Sequence, residues 1–157
     1  MNDLDVRIVR LEPMRVAAAI GFGPSPEELA WQKILSWADA QGLLKERERR
    51  RFFGFNNPNP SAGSPNYGYE QWITVEADTP ESGEVKIKDF PGGLFAVTRC
   101  SLADIGDQWQ ALVKWCAGSR YTMSHTQWLE EALTPPYDGI SQELNQIILD
   151  LYLPVAE

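Results

Sequence analysis

Histidine and cysteine are scarce in this chain of 157 residues: one histidine, His125, and two cysteines, Cys100 and Cys116. A single imidazole excludes a His-rich metal centre. The two thiols are too far apart for a CxxC ligand pair and too few for a disulfide framework. Both are read as small buried hydrophobes. Basic residues are outnumbered, 14 against 22 acids, for a net charge of −8. That balance speaks against direct nucleic-acid binding, which needs a basic face, and suits long-range attraction of cations. Long apolar runs are missing, so no membrane span is expected. Residues 1–10 alternate acids and bases without the apolar stretch of a signal sequence, so a cytoplasmic location is expected. No GxSxG elbow, P-loop or GxGxxG cradle occurs. Gly21-Phe22-Gly23 reads as the turn before a helix, and His125 as a locally hydrogen-bonded strand residue. No cofactor or metal is expected.

Aromatic residues, by contrast, are plentiful: six Trp, six Phe and five Tyr, or 11% of the chain. Their placement exposes an internal repeat. Trp31–Trp37 reads WQKILSW and Trp109–Trp115 reads WQALVKW, 78 positions later. Asp5-Val6-Arg7-Ile8 matches Glu84-Val85-Lys86-Ile87 at an offset of 79, and Tyr69–Val75 matches Leu149–Val155 at an offset of 80. Three collinear matches imply a duplicated unit, repeat 1 over about 5–78 and repeat 2 over about 84–156. Between them Thr79-Pro80-Glu81-Ser82-Gly83 has linker composition. Residues 1–157 then form one domain.

Each copy reads as βαββ. Val6–Leu11 and Val16–Ile20 suggest one strand broken or bent at Pro13. Ser25, Pro26 and Glu28 suggest an N-cap, an N1 proline and a capping box, and the helix ends between Gln41 and Leu44 near Gly42. Leu29, Trp31, Ile34, Leu35 and Trp37 give it an apolar stripe. Phe52–Phe55 and Tyr69–Glu76 follow as strands, separated by a Pro/Asn-rich loop over 56–66. In the second copy, Val85–Phe90 and Leu94–Cys100 are strands. Ser101 or Asp104 opens a helix to about Ala117, and Thr126–Ala132 and Ile147–Val155 complete the sheet around a loop at 135–139. The fold class is α+β, antiparallel sheet backed by two helices. The run Lys45–Arg51 reads as a solvated helix end.

The ordered pieces DVRIVRLEPMRVAAAIG, WQKILSW, SPNYGYEQWITV, FPGGLFAVTRC, WQALVKW, HTQWLEEAL and LDLYLPV span about residues 5–155. Together they resemble the GyrI-like small-molecule-binding domains, which include effector-binding domains of AraC- and MerR-type multidrug-sensing regulators. The resemblance implies two pseudo-twofold-related βαββ units with a central aromatic groove, which often holds an acid that meets cationic ligands. With no DNA-binding domain in this sequence, the chain looks like the standalone members.

On that resemblance the acid lies in Trp128-Leu129-Glu130-Glu131-Ala132, with Glu130 the better match and Glu131 the fallback. Ala132 stands where the family usually has Tyr, a departure that bears on pocket width. The first-copy counterpart is Tyr69-Glu70-Gln71-Trp72. The expected ligand-binding set is therefore Tyr69, Glu70, Trp72, Trp128, Glu130 and Tyr152. The expected ligand is a small amphipathic or cationic aromatic molecule. The resemblance also implies an alternative, a hydrolase of strained cyclopropane rings with Glu70 and Glu130 as acid/base groups. A protein-interaction module, or a homodimer, is the third reading. Trp31, Trp37, Trp109 and Trp115, at matching helix positions, are read as packing between helix and sheet.

Overall fold

The computed structural model describes residues 4–57, 59, 61–134 and 146–157; the loop expected at 135–139 lies outside the described residues. Nine strands are described: β1 (Arg7–Leu11), β2 (Met14–Gly23), β3 (Phe52–Asn56), β4 (Tyr67–Thr74), β5 (Lys86–Phe90), β6 (Gly93–Ser101), β7 (Thr122–Met123), β8 (Leu129–Ala132) and β9 (Ile148–Ala156). The helices are α1 (Pro26–Ala40) and α2 (Ile105–Ala117), with short 3-10 segments at Leu43–Arg49 and Leu102–Asp104. The α+β class with antiparallel sheet thus holds. No helix of the described residues is long and apolar enough to cross a membrane.

The chain forms two compact units: a continuous one, Met14–Phe90, and a split one, Met1–Pro13 with Pro91–Glu157. In the continuous unit the strands run β3-β4-β2-β5; in the split unit β1-β6-β9-β8, with β7 also on β9. All pairings are antiparallel. The first strands of the two repeats are therefore exchanged: β1 pairs with β6, and β5 pairs with β2. The stretch expected as a strand broken or bent at Pro13 is broken there into two strands, β1 and β2, and these belong to different units. Proline lacks the amide proton that a continuing ladder needs, so pairing stops there.

In an antiparallel ladder, directly opposed residues share a face. The register puts Ala17, Ala19 and Gly21 of β2 with Ile73, Gln71 and Tyr69 of β4. This is the face under α1, because a Cβ at Gly21 would collide with Pro26, Leu29 and Ala30. The helix rests on Pro26, Ala30, Ile34 and Ala38, while Leu29 is exposed. Of the Leu29/Trp31/Ile34/Leu35/Trp37 stripe expected from the sequence, Ile34 is buried, and the rest of the buried face is of smaller residues, because a strand of Ala and Gly brings the helix backbone close. Trp31 still packs on the sheet, 5.4 Å from the Phe52 ring. Ser25 precedes α1 but its side chain makes no cap hydrogen bond. Glu28 therefore completes no capping box with it. Glu27 instead accepts from the Tyr67 hydroxyl at 2.7 and 2.9 Å. The helix ends as expected, with Gly42 in the left-handed region at φ 76°.

The split unit's core joins Leu112 and Cys116 of α2 to Ala96 of β6 and Leu149, Leu151, Leu153 and Val155 of β9. Cys116 is buried and Cys100 half-buried, both free. His125 lies exposed between β7 and β8 rather than on a strand. The basic run is solvated as expected at residues 45–49 and at Arg51, which lies over the Phe53 ring, whereas Arg50, its side chain 7% exposed, bonds the Thr74 carbonyl and Glu76.

Candidate functional site

Alternation along each strand sorts the expected site residues into two groups. On β4, Glu70 and Trp72 point to the face opposite α1. Phe55 and Phe53 of β3 lie beside them, and Lys88 and Phe90 of β5 share that face. Tyr69 points to the helix side, its ring against Gly54, where a Cβ would strike the phenol. The structure thus brings Glu70 and Trp72 together and sets Tyr69 apart.

Glu70 is wholly buried. Burial of an ionised carboxylate is costly unless donors replace water, and three do. Asn57 Nδ2 donates to Oε1 at 3.0 Å; Trp72 Nε1 and Lys88 Nζ each donate to Oε2 at 2.6 Å. The Trp72 ring meets Phe55 edge-on at 5.2 Å and Phe90 at 5.5 Å. An acid thus stands in an aromatic frame, already neutralised by a lysine.

In the split unit, β8 and β9 register Glu130 with Leu151 and Glu131 with Asp150. The two glutamates therefore face opposite ways. Glu130 lies on the α2 side, where Trp109 Nε1 donates to its Oε2 at 3.1 Å, and the Trp109 ring lies 5.2 Å from Trp128. Glu131 lies on the far side with Tyr152, whose hydroxyl donates to its Oε1 at 2.7 Å. Tyr152 meets Phe95 edge-on at 5.7 Å. Of the expected set, Glu130 and Trp128 thus keep company with each other, and Tyr152 with the fallback acid Glu131. The repeat offset of 80 makes Tyr152 the counterpart of Trp72 and Asp150 that of Glu70. Both pairs face away from their helices.

Sequence reasoning did not single out the bases that serve these acids. Asp150, its side chain 5% exposed, is clamped by Arg7 Nη2 at 2.9 Å and by Arg99 Nε and Nη2 at 2.8 and 3.2 Å. Burial pushes the Asp150 carboxyl up, but the hydrogen bonds and charges of Arg99 and Arg7 outweigh it and hold the group below its ordinary value. An open cleft of about 570 Å³ borders both arginines, which explains why they stay half-exposed. The alternation of β4 and β9, combined with the repeat offset, was the signal that could have pointed to Asp150. Lys88 and Arg7 sit on exchanged strands, so nothing local announced their partners.

The family model of Cass2, an integron-associated effector-binding protein, matches residues 7–155. No curated protein matches the sequence. Among solved structures, the C-terminal domain of EcmrR is similar with a TM-score of 0.72 at 11% identity, covering 98% of both chains. The chain spans 57% of the EcmrR chain in its DNA complex. A hydrolase from Listeria innocua has a TM-score of 0.68 at 9% identity, over 99% of this chain and 94% of that one. SAV2435 bound to tetraphenylphosphonium has a TM-score of 0.57 at 7% identity, over 98% and 94%. At such identities the structural likeness shows the fold alone, whereas the family match covers nearly the whole chain. The chain therefore belongs to the integron-associated effector-binding proteins, a GyrI-like family of small-molecule-binding modules.

Proposed function

We propose that this protein binds lipophilic organic cations and receives their charge at Glu131. The observation that carries the reading is a carboxylate only 7% exposed on the face away from α2, bonded to Tyr152, which itself packs on Phe95. A carboxylate removed from water gains most from a positive charge that arrives without a hydration shell of its own. Aromatic rings add cation–π attraction of about 0.5–2 kcal/mol. The net charge of −8 favours the approach of cations. The tetraphenylphosphonium seen on a structural relative supports the ligand class. Tyr152 belongs to the proposed site; Glu130, Trp128 and Tyr69 serve packing on the helix sides. Glu70 and Trp72 form a separate constellation.

Calorimetric titration with tetraphenylphosphonium and with neutral triphenylphosphine oxide tests this. The phosphonium is expected to bind at least tenfold tighter. Glu131→Gln should weaken the phosphonium about 10–100-fold, which corresponds to about 1.4–2.8 kcal/mol, and leave the oxide unchanged. Glu130→Gln should alter neither. Equal phosphonium affinity in wild type and Glu131→Gln would sink the proposal. Chemical conversion of a titrant, lost in Glu131→Gln, would instead favour acid/base hydrolysis at the same carboxylate.

A further inference from the structure

Lys88 connects the surface to a fully buried acid. Its side chain is 44% exposed, yet its Nζ lies 2.6 Å from Oε2 of Glu70, which is 0% exposed. Asn57 and Trp72 fix the carboxylate with two neutral donors, and Phe55 and Phe90 pack the Trp72 ring in place. The third donor is a primary ammonium on a straight alkyl stem. The geometry points to a second cation site, at Glu70, that takes a primary alkylammonium ion and is held shut by this chain's own Lys88. The inference rests on reading a buried carboxylate as a cation receptor, but on a different acid from Glu131.

The equivalent acid of the other repeat shows what a fixed structural clamp looks like. Asp150 is held by two planar guanidiniums through three hydrogen bonds, two of them from Arg99 alone. Such forks are preorganised and geometrically demanding. Lys88 supplies one bond from a compact ammonium on a flexible stem. A free alkylammonium makes that bond equally well. What stands against it is the local concentration of the tethered amine. Lys88 thus competes with incoming amines and sets the concentration at which they enter.

The test is run in the Glu131→Gln background, so that binding at the other acid does not contribute. n-Propylammonium, which replaces the atoms that Lys88→Ala removes, is titrated by calorimetry. Affinity in Lys88→Ala is expected to be at least tenfold higher than with Lys88 present, and the gain should vanish in Lys88→Ala/Glu70→Gln. Tetramethylammonium, without an N–H donor, should show no gain. No increase in Lys88→Ala, or an increase that survives Glu70→Gln, overturns the inference. Should Lys88→Ala fail to fold alone because a buried charge has lost its partner, it is expected to fold when n-propylammonium is present throughout purification; failure there overturns it too. The Glu131 reading fails by a separate result, tetraphenylphosphonium binding that is indifferent to Glu131→Gln.

Discussion

Cys100 sits half-buried near the end of β6. Burial, followed by the charges of Glu130, Asp104 and Asp150, pushes its thiol up to about 11. The thiolate is the reactive form, so at pH 7.5 only about 0.03% of the thiol is active, against several per cent for an ordinary cysteine. Alkylation by iodoacetamide at pH 7.5, followed by intact mass, is expected to run about 100-fold slower than for glutathione. Modification at the glutathione rate would contradict the electrostatic account. The same scale explains what was legible at the site. The family resemblance points to an acid beside Trp128, but Glu130 and Glu131 are adjacent. One residue of register moves a strand side chain to the opposite face. Only the pairing of Glu131 with Asp150 and the bond from Tyr152 settle which acid stands on the far side.

At the level of elements, α1 lies on β2 through small residues, with Gly21 at the closest approach. A methyl group there would meet the Pro26 carbonyl oxygen, the Ala30 nitrogen and the Leu29 Cβ, so backbone as well as side chain would have to give way. Overpacking of this kind costs about 1–3 kcal/mol. Gly21→Ala is therefore expected to lower the thermal midpoint by about 3–10 °C, read by circular dichroism; an unchanged midpoint would show that the helix can lift freely. The existence of α1 was legible from Pro26, the acids of its first turn and Gly42, because those signals act within a turn of the backbone. Of its buried face only Ile34 was, since hydrophobic periodicity weighs Leu29 and Trp37 above alanine. Ala30, Ile34 and Ala38 face inward here because the strand beneath is itself Ala-rich. Helix α2 matched its expected boundaries more closely, and its buried Leu112 and Cys116 meet larger residues on β9.

On the scale of the whole molecule, duplication was visible in the sequence, whereas strand exchange was not. Residues 5–8 and 84–87 carry nearly the same acid-Val-base-Ile pattern. Such a strand suits either sheet, and no local preference says which one it joins. What marks the outcome is charge: Arg7 on β1 reaches Asp150 on β9, and Lys88 on β5 reaches Glu70 on β4. Each exchanged strand is thus tied by a base to an acid at the matching repeat position. Asp150 should accordingly govern the acid limb of stability. Its folded value lies below the ordinary one, while in the unfolded chain it titrates at about 3.9. The unfolded state then takes up the proton first as pH falls, so the contribution is complete well above about 3.9 and is lost as pH drops through the folded value. Asp150→Asn is expected to cost about 1.5–3 kcal/mol at pH 7, the worth of hydrogen bonds to a charged group. Because Arg7 and Arg99 are half-exposed and rehydrate when the acid is neutralised, the cost should not reach that of stranding a buried charge. Urea unfolding at pH 7, 5 and 3 is expected to show a constant gap between wild type and variant at the two higher values and a shrinking one at pH 3. A gap of undiminished size at pH 3 would mean that Asp150 stabilises the split unit by its shape rather than by its charge.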